Sequence, residues 1–416
     1  MKRRFTSLVL LLTLFLAPAV LYAEGGEDNS IADYLAPVAR FLSRGEEDML
    51  PVNGNSLEVI TDGARQWESL LNDIRSARKS IYMEYYRWTD DDAGRQIKRA
   101  VMEKIREGLD VRIMLEDLCN PFYRKDFYTD LKKAGAQVAY FTNTERHLWE
   151  IVPGINTRDH RKIVVIDDCI GYTGGMNLGV HYRDVWRDTH ARIQGPAVAQ
   201  LRRLFMDMWQ QRRGPEQNPE TVNPDDNCKE PIPEAGSETI QFATSGGGDT
   251  LLEEAVCMIL QSAKNSVYIQ TPYFCPTDTL LHSLQAAARR GIDIRVLIPE
   301  KSDSHLMEIA NQGFYEECIT AGVRIFEYRP RFNHSKVVIC DNCLSCIGSL
   351  NMDSRSLCIN YEAFAAIYGT ETGESCRETF LALLEDSREI TIDHINAWSK
   401  KEKNARGFWR RNSSQL

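Results

Sequence analysis

His160, Lys162, Asp167, Gly174, Asn177 and Asp188 recur as His334, Lys336, Asp341, Gly348, Asn351 and Glu362, each 174 residues further along. The same set of reactive side chains is therefore present twice. Ammonium groups and carboxamide N–H donors suit phosphate oxygens and the charge that develops in a phosphoryl-transfer transition state. Histidine titrates near ~6.5, so at neutral pH one ring can attack as a base while its counterpart delivers a proton. Two such rings predict a covalent phosphohistidine and a two-step exchange at a phosphodiester. Each step inverts phosphorus, so the sum retains configuration.

Strand parity refines the roles. His160 and Lys162 are two apart on a strand-like run, as are His334 and Lys336, so each pair shares a face. Asp167 and Asp341 complete the motif and stand with the catalytic set. Their odd spacing from the histidines turns them the other way along a straight strand, which also allows a turn-stabilising role. Gly174 and Gly175, or Gly348 and Ser349, permit close backbone approach before Asn177 and Asn351, the expected phosphate ligands beside Lys162 and Lys336. A nucleophilic imidazole must be held in one tautomer. Asp188 and Glu362, each eleven residues beyond its asparagine, are the candidates for that task.

The elements that must position these residues are α/β in character. KSIYMEYY and DVRIML read as strands around the helix RQIKRAVMEKIREG, whose Ile97, Val101 and Ile105 are four apart. NSVYIQTPYF, LLHSLQAAARRG and DIRVLIP repeat that grammar, and KKAGAQVAYF is answered by ITAGVRIFEY. Two duplicated α/β domains are expected at residues 56–214 and 237–390, each with a largely parallel sheet covered by helices. The Pro-, Asn- and acid-rich interval 215–236 reads as a linker. Residues 24–55 carry a helical stripe of Ile31, Tyr34, Leu35, Val38 and Leu42 expected to dock on the body, and 391–416 read as a basic, solvated tail.

Composition narrows the partners. Formal net charge is −9, and the first 23 residues contribute Lys2, Arg3, Arg4 and no acid, which leaves −12 on the remainder. So acidic a body is a poor nucleic-acid binder. Residues 1–23 combine a basic start, an apolar stretch and small residues at Ala19 and Ala23, the pattern of a signal peptide; a retained anchor formed by residues 5–23 is the alternative. Eleven cysteines are an odd number at irregular spacing. Cys340, Cys343 and Cys346 imitate a metal cluster, but no fourth ligand is evident and the first copy has no equivalent.

At these residues the chain resembles the phospholipase D superfamily, whose HxKxxxxD motif followed by GSxN or GGxN is met by both copies. Within it the chain is most similar to bacterial cardiolipin synthases, through NTRDHRK, GGMN and WRDTHARIQGPAV in the first half and TPYFCP, GSLNMDSRS and NYE in the second. The resemblance implies two α/β halves packed about a pseudo-twofold active site and no cofactor or metal. It also implies that His160 and His334 serve as nucleophile and acid, with His160 favoured as nucleophile. The implied reaction joins two phosphatidylglycerols into cardiolipin with release of glycerol. Water as acceptor would instead make the chain a phospholipase D yielding phosphatidic acid; a nuclease is disfavoured by the acidic body. The expected partner is phospholipid at a membrane surface, with one chain sufficient for the site. The expected location is the periplasmic side of the bacterial inner membrane, held peripherally. Family members typically begin with two membrane-spanning helices, where this chain has one short apolar segment.

Overall fold

The hairpin that carries each copy of the motif determines how the sheet is built. The structure, a computed structural model, describes residues 32–120, 124–142, 156–212 and 231–413. The expected signal at 1–23 and the interval 215–236 up to residue 230 lie outside the described residues. In chain order the strands of the first half are β1 (Val52–Ile60), β2 (Ser80–Tyr85), β3 (Asp110–Leu115), β4 (Gln137–Tyr140), β5 (Lys162–Ile166), β6 (Ile170–Gly174) and β7 (His190–Gln194). Those of the second are β8 (Glu238–Ser245), β9 (Ser266–Gln270), β10 (Phe274–Cys275), β11 (Asp293–Pro299), β12 (Arg324–Tyr328), β13 (Val337–Cys340), β14 (Leu344–Gly348), β15 (Met352–Asp353), β16 (Glu362–Tyr368) and β17 (Ser387–Ile390).

Fifteen of these form one continuous sheet in the order β17-β12-β11-β9-β13-β14-β16-β8-β1-β7-β6-β5-β2-β3-β4. Outward from the β1–β8 seam, the order β1-β7-β6-β5-β2-β3-β4 is matched strand for strand by β8-β16-β14-β13-β9-β11-β12. The duplication seen in the residues is thus a pseudo-twofold symmetry of the fold. The largely parallel sheet expected from the strand–helix alternation is corrected. Parallel pairing is confined to β2-β3-β4 and β9-β11-β12 at the flanks, with a separate β10–β15 pair. The centre is antiparallel. The cause is local. Asp167 and Asp168, like Asp341 and Asn342, all have positive φ, the backbone of a tight mirror-image turn, and such a turn joins only antiparallel strands.

Two outer cores and one shared core hold the sheet. Helices Gly63–Ser76 and Asp92–Arg106 bury Trp67, Leu70, Ile97, Val101 and Ile105 against the first half. Helices Leu251–Ser262 and Asp278–Arg289 do the same for the second with Val256, Ile259, Leu281 and Leu284. On the other face, helices Val198–Arg212 and Thr370–Glu385 share a single apolar cluster that takes Ile163, Val165, Phe205 and Trp209 from one half and Val337, Ile339, Phe380 and Leu383 from the other. Tyr82 stacks on Phe205 and, at the equivalent point, Tyr268 on Phe380. The described residues form one compact unit.

The flanking segments are built in. Leu35, Val38 and Leu42 are buried in the second half's core, and the Tyr34 hydroxyl donates to Asp341 Oδ2 at 3.0 Å. Residues expected to be a solvated C-terminal tail instead form the helix Lys400–Arg411. It docks because alternate faces differ: Trp409 packs on the core, Arg410 pairs with Glu317 and Asp278, and Arg406 lies over the Trp398 ring at 4.0 Å. Cys340 and Cys346 are buried among apolar side chains of β13 and β14. No helix among the described residues is long and apolar enough to cross a membrane. Docking of the N-terminal segment predicts that Leu35→Ala costs roughly 2–5 kcal/mol, read as a lowered denaturation midpoint. An unchanged midpoint would return that stripe to the surface.

Candidate active site

Each histidine is held by the opposite half. The His160 N–H donates to Tyr361 O at 2.9 Å, and the Tyr361 N–H donates to Arg158 O at 2.8 Å. At the equivalent point, the His334 N–H donates to Arg187 O at 2.7 Å and the Arg187 N–H to Phe332 O at 3.0 Å. These are short parallel bridges, Asp159 with Tyr361 and Arg187 with Asn333. The next residue along each bracing strand is the acid. Glu362 therefore meets His160, with Nδ1 3.0 Å from both carboxylate oxygens, and Asp188 meets His334, with Nδ1 2.6 Å from Oδ2. Spacing alone nominated these two acids without saying which histidine each serves, and the pairing is crosswise.

An ionised carboxylate only accepts, so each Nδ1 carries the proton and each Nε2 is left with a lone pair. The acids are themselves fixed. Glu362 accepts the Ser349 hydroxyl, and Asp188 Oδ1 accepts the Thr189 N–H at 2.8 Å. Gly175, the counterpart of Ser349, lies so near Asp188 that a Cβ there would fall 2.1 Å from Oδ1, which is why a glycine stands at that position.

Lys162 and Lys336 donate to the carbonyls of His160 and His334. All these groups are buried and close enough to act on one another. Burial lowers the His160 pKa, with Glu362 raising it and Lys162 and Lys336 lowering it; burial and both lysines hold His334 well below the ordinary value. Burial brings Lys162 down to about 8 and Lys336 to about 7, against the attraction of Glu362 and Asp188. The same desolvation pushes Asp188 up to about 6. The two sets thus converge on one low-dielectric centre with mobile protons near neutrality.

Asn177 accepts from the Arg87 N–H at 3.1 Å and donates to the Tyr182 hydroxyl at 2.8 Å; Asn351 donates to Ser356 Oγ at 3.2 Å. A carboxamide nitrogen has two hydrogens, so each keeps one for a ligand. Tyr182 and Ser356 were not singled out from the sequence, although both lie five residues past their asparagine and again 174 apart. Tyr86, which meets the His160 ring edge-on at 4.8 Å, carries no repeat signal at all.

The catalytic role expected of Asp167 and Asp341 is corrected. Both stand in the hairpin turns with φ near 50°, at the far end of the strand from the histidine. Seven residues at a strand's rise put them roughly 20 Å away. Asp167 accepts the backbone N–H groups of Arg78, Lys79 and Ser80 at 2.7–3.0 Å. Asp341 does the same for Lys264, Asn265 and Ser266 at 2.7–2.8 Å. These carboxylates anchor the starts of β2 and β9 against the motif hairpin.

The halves differ beside the histidines. Arg161, fully buried, pairs with Glu84 at 2.6 Å and Asp159 at 3.2 Å. Asn333, Ser335 and Gln270 stand at the matching points of the second half, with the Asn333 amide 3.5 Å from Gln270 Oε1. Among the described residues no group of three or more His, Cys, Asp or Glu could hold a metal ion.

A family profile described as cardiolipin synthase, phospholipase D-like domain, matches residues 70–209 and 256–384. The chain is 34% identical over 352 residues to a cardiolipin synthase of Halalkalibacterium halodurans, covering 82% of this chain and 69% of that one. It is 33% identical over 347 residues to the major cardiolipin synthase of Bacillus subtilis, covering 82% and 71%. The chain belongs to the cardiolipin synthase family. Its fold is also that of the phosphatidylserine synthase of Haemophilus influenzae, with a TM-score of 0.67 at 14% identity over 91% of this chain and 99% of that one. Family members share a phospholipase D-like domain, and here its two copies supply the two histidines that face each other.

Two outcomes follow for the site. Depressed lysine pKa values mean that the ammonium charge is lost as pH rises through about 7 to 8, and a raised Asp188 means that its grip on His334 weakens below about 6. A bell-shaped kcat/KM profile is expected, and Lys336→Arg, which keeps its charge, should carry the alkaline limb upward. A limb that stays put would assign it to another group. Asp167→Ala should lower stability by about 1.5–3 kcal/mol in urea titrations while the folded protein keeps its kcat, whereas Asp188→Asn should lower kcat roughly 10²–10⁴-fold.

Proposed function

We propose that this protein is a cardiolipin synthase that transfers a phosphatidyl group from one phosphatidylglycerol to the hydroxyl of another, releasing glycerol. The observation that carries this reading is the crosswise pair of imidazole–carboxylate dyads around two buried lysines. His160 Nε2 attacks phosphorus, and the departing glycerol oxygen takes its proton from His334, whose cationic form, disfavoured in the free site, is favoured by the bound phosphodiester anion. The headgroup hydroxyl of a second phosphatidylglycerol then gives its proton to neutral His334 and attacks the same phosphorus, breaking the P–N bond. Atoms and charge balance without a further reagent. Lys162, Lys336 and one amide hydrogen each from Asn177 and Asn351 hold the phosphate through both steps. A single chain carries both dyads, so this reading needs one copy. We further place the enzyme peripherally on the periplasmic face of the inner membrane, a reading supported by the basic and apolar leader at residues 1–23.

Purified protein incubated with phosphatidylglycerol vesicles should yield cardiolipin and glycerol in equal amounts by mass spectrometry, unaffected by a chelator. His160→Ala and His334→Ala should each lower turnover by at least about 10³-fold. Phosphatidic acid as the main product would make the enzyme a hydrolase. Peptide mapping of the trapped phosphatidyl-histidine should place it at residue 160, and label at 334 would exchange the two roles.

A further inference from the structure

Two stretches in the sequence could have met a lipid surface: the stripe around Leu35, which is buried in the core, and the C-terminal aromatic and basic run, which is docked through Trp409, Arg406 and Arg410. Large apolar side chains are nonetheless left in water. Val185 is 50% exposed and Leu306 37% exposed. Val185 precedes Trp186, which lies against the His334 ring, and Leu306 follows the loop whose Asp303 acts electrostatically on that histidine.

Val185 ends the turn of helix His181–Val185, whose Tyr182 holds Asn177. Trp186 follows it, stacked on His181 at 5.5 Å, edge-on to Phe332 at 4.9 Å and 5.5 Å from the His334 ring. Phe332 is 5.8 Å from that ring. An unbroken aromatic path therefore runs from the surface to the histidine. Leu306 lies in the first turn of helix His305–Gln312. The preceding loop carries Asp303, which accepts the Tyr273 hydroxyl at 2.7 Å and acts electrostatically on both Tyr182 and His334. Exposed Arg331 and exposed Arg329, which pairs with Glu300 at 3.9 Å, stand on the same stretch as Phe332, and half-buried Arg187 lies beside it across the bridge. Of the nearby acids, Asp184 is paired with Arg183, while Asp303 accepts the neutral Tyr273 hydroxyl, which does not offset its charge.

We infer that the rim formed by Val185, Trp186, Phe332 and Leu306, with its arginines, is the surface that seats on an anionic phospholipid bilayer and opens the His334 side of the site to lipid. This rests on the reading of the substrate as phosphatidylglycerol. Apolar side chains enter the headgroup boundary, arginines meet phosphates, and the substrate reaches buried groups without leaving the membrane plane.

The test compares the full chain with Val185→Ser/Leu306→Ser and with Phe408→Ser, which alters the equally exposed residue of the C-terminal helix. Sedimentation with vesicles of phosphatidylglycerol and phosphatidylethanolamine measures docking. Turnover of short-chain phosphatidylglycerol below its micellar concentration measures chemistry alone. The double variant should bind vesicles at least about tenfold more weakly and lose vesicle turnover in proportion, with short-chain turnover unchanged and Phe408→Ser like the parent. Undiminished vesicle binding by the double variant, or loss confined to Phe408→Ser, would overturn the rim. Rim-dependent binding without any transfer on short-chain lipid would keep the rim and remove the synthase reading instead.

Discussion

Everything about this molecule turns on two buried imidazole–carboxylate contacts that each span the two halves. Taking a histidine, a lysine and an acid out of water is costly for either half alone, and the cost is offset only when the opposite half brings the partner. The fold is arranged around that requirement. One sheet runs through both halves, and one apolar cluster takes side chains from each. The β1–β8 seam is a short ladder interrupted by an irregularity between Val52 and Asn55. Alignment of the site is therefore shared by the bridges at Asp159–Tyr361 and Arg187–Asn333, which place each acid by fixing the residue before it.

The electrostatics follow from the same burial. Without desolvation, the lysines would keep their charge far above neutral pH and the dyads would be ordinary surface pairs. Enclosed together, the lysines come down to about 8 and 7, Asp188 rises to about 6, and both histidines are lowered. Such a centre can hold a phosphate dianion-like transition state and still exchange a proton with a leaving alcohol.

Much of this was legible in the residues. The 174-residue spacing identified both histidines, both lysines and both asparagines, and the eleven-residue offset identified Asp188 and Glu362. Parity pointed Asp167 and Asp341 away from the site, and their positions in the hairpin turns explain why: they bind backbone N–H groups instead. What spacing could not convey was which acid faces which histidine, because that depends on how two segments far apart in sequence pack. Nor could it convey the antiparallel centre of the sheet, which turns on two consecutive positive-φ residues. Tyr86 and the Glu84–Arg161–Asp159 set have no chemical echo in the second copy, so a search for repeats passes over them. The C-terminal helix was misread because its basic residues look solvated until Glu317 and Asp278 are brought beside Arg410.

Because each half completes the other's histidine rather than its own, a lone half could assemble this site only by pairing with a second copy of itself about a twofold axis, generating two identical dyads. Joining the copies in one chain removes the demand that both surfaces stay alike. The charged Asp159, Arg161 and Glu84 on one side and the neutral Asn333, Ser335 and Gln270 on the other record that release from symmetry, as does Ser349 opposite Gly175. A fused ancestor of this kind gains the freedom to let its two histidines specialise.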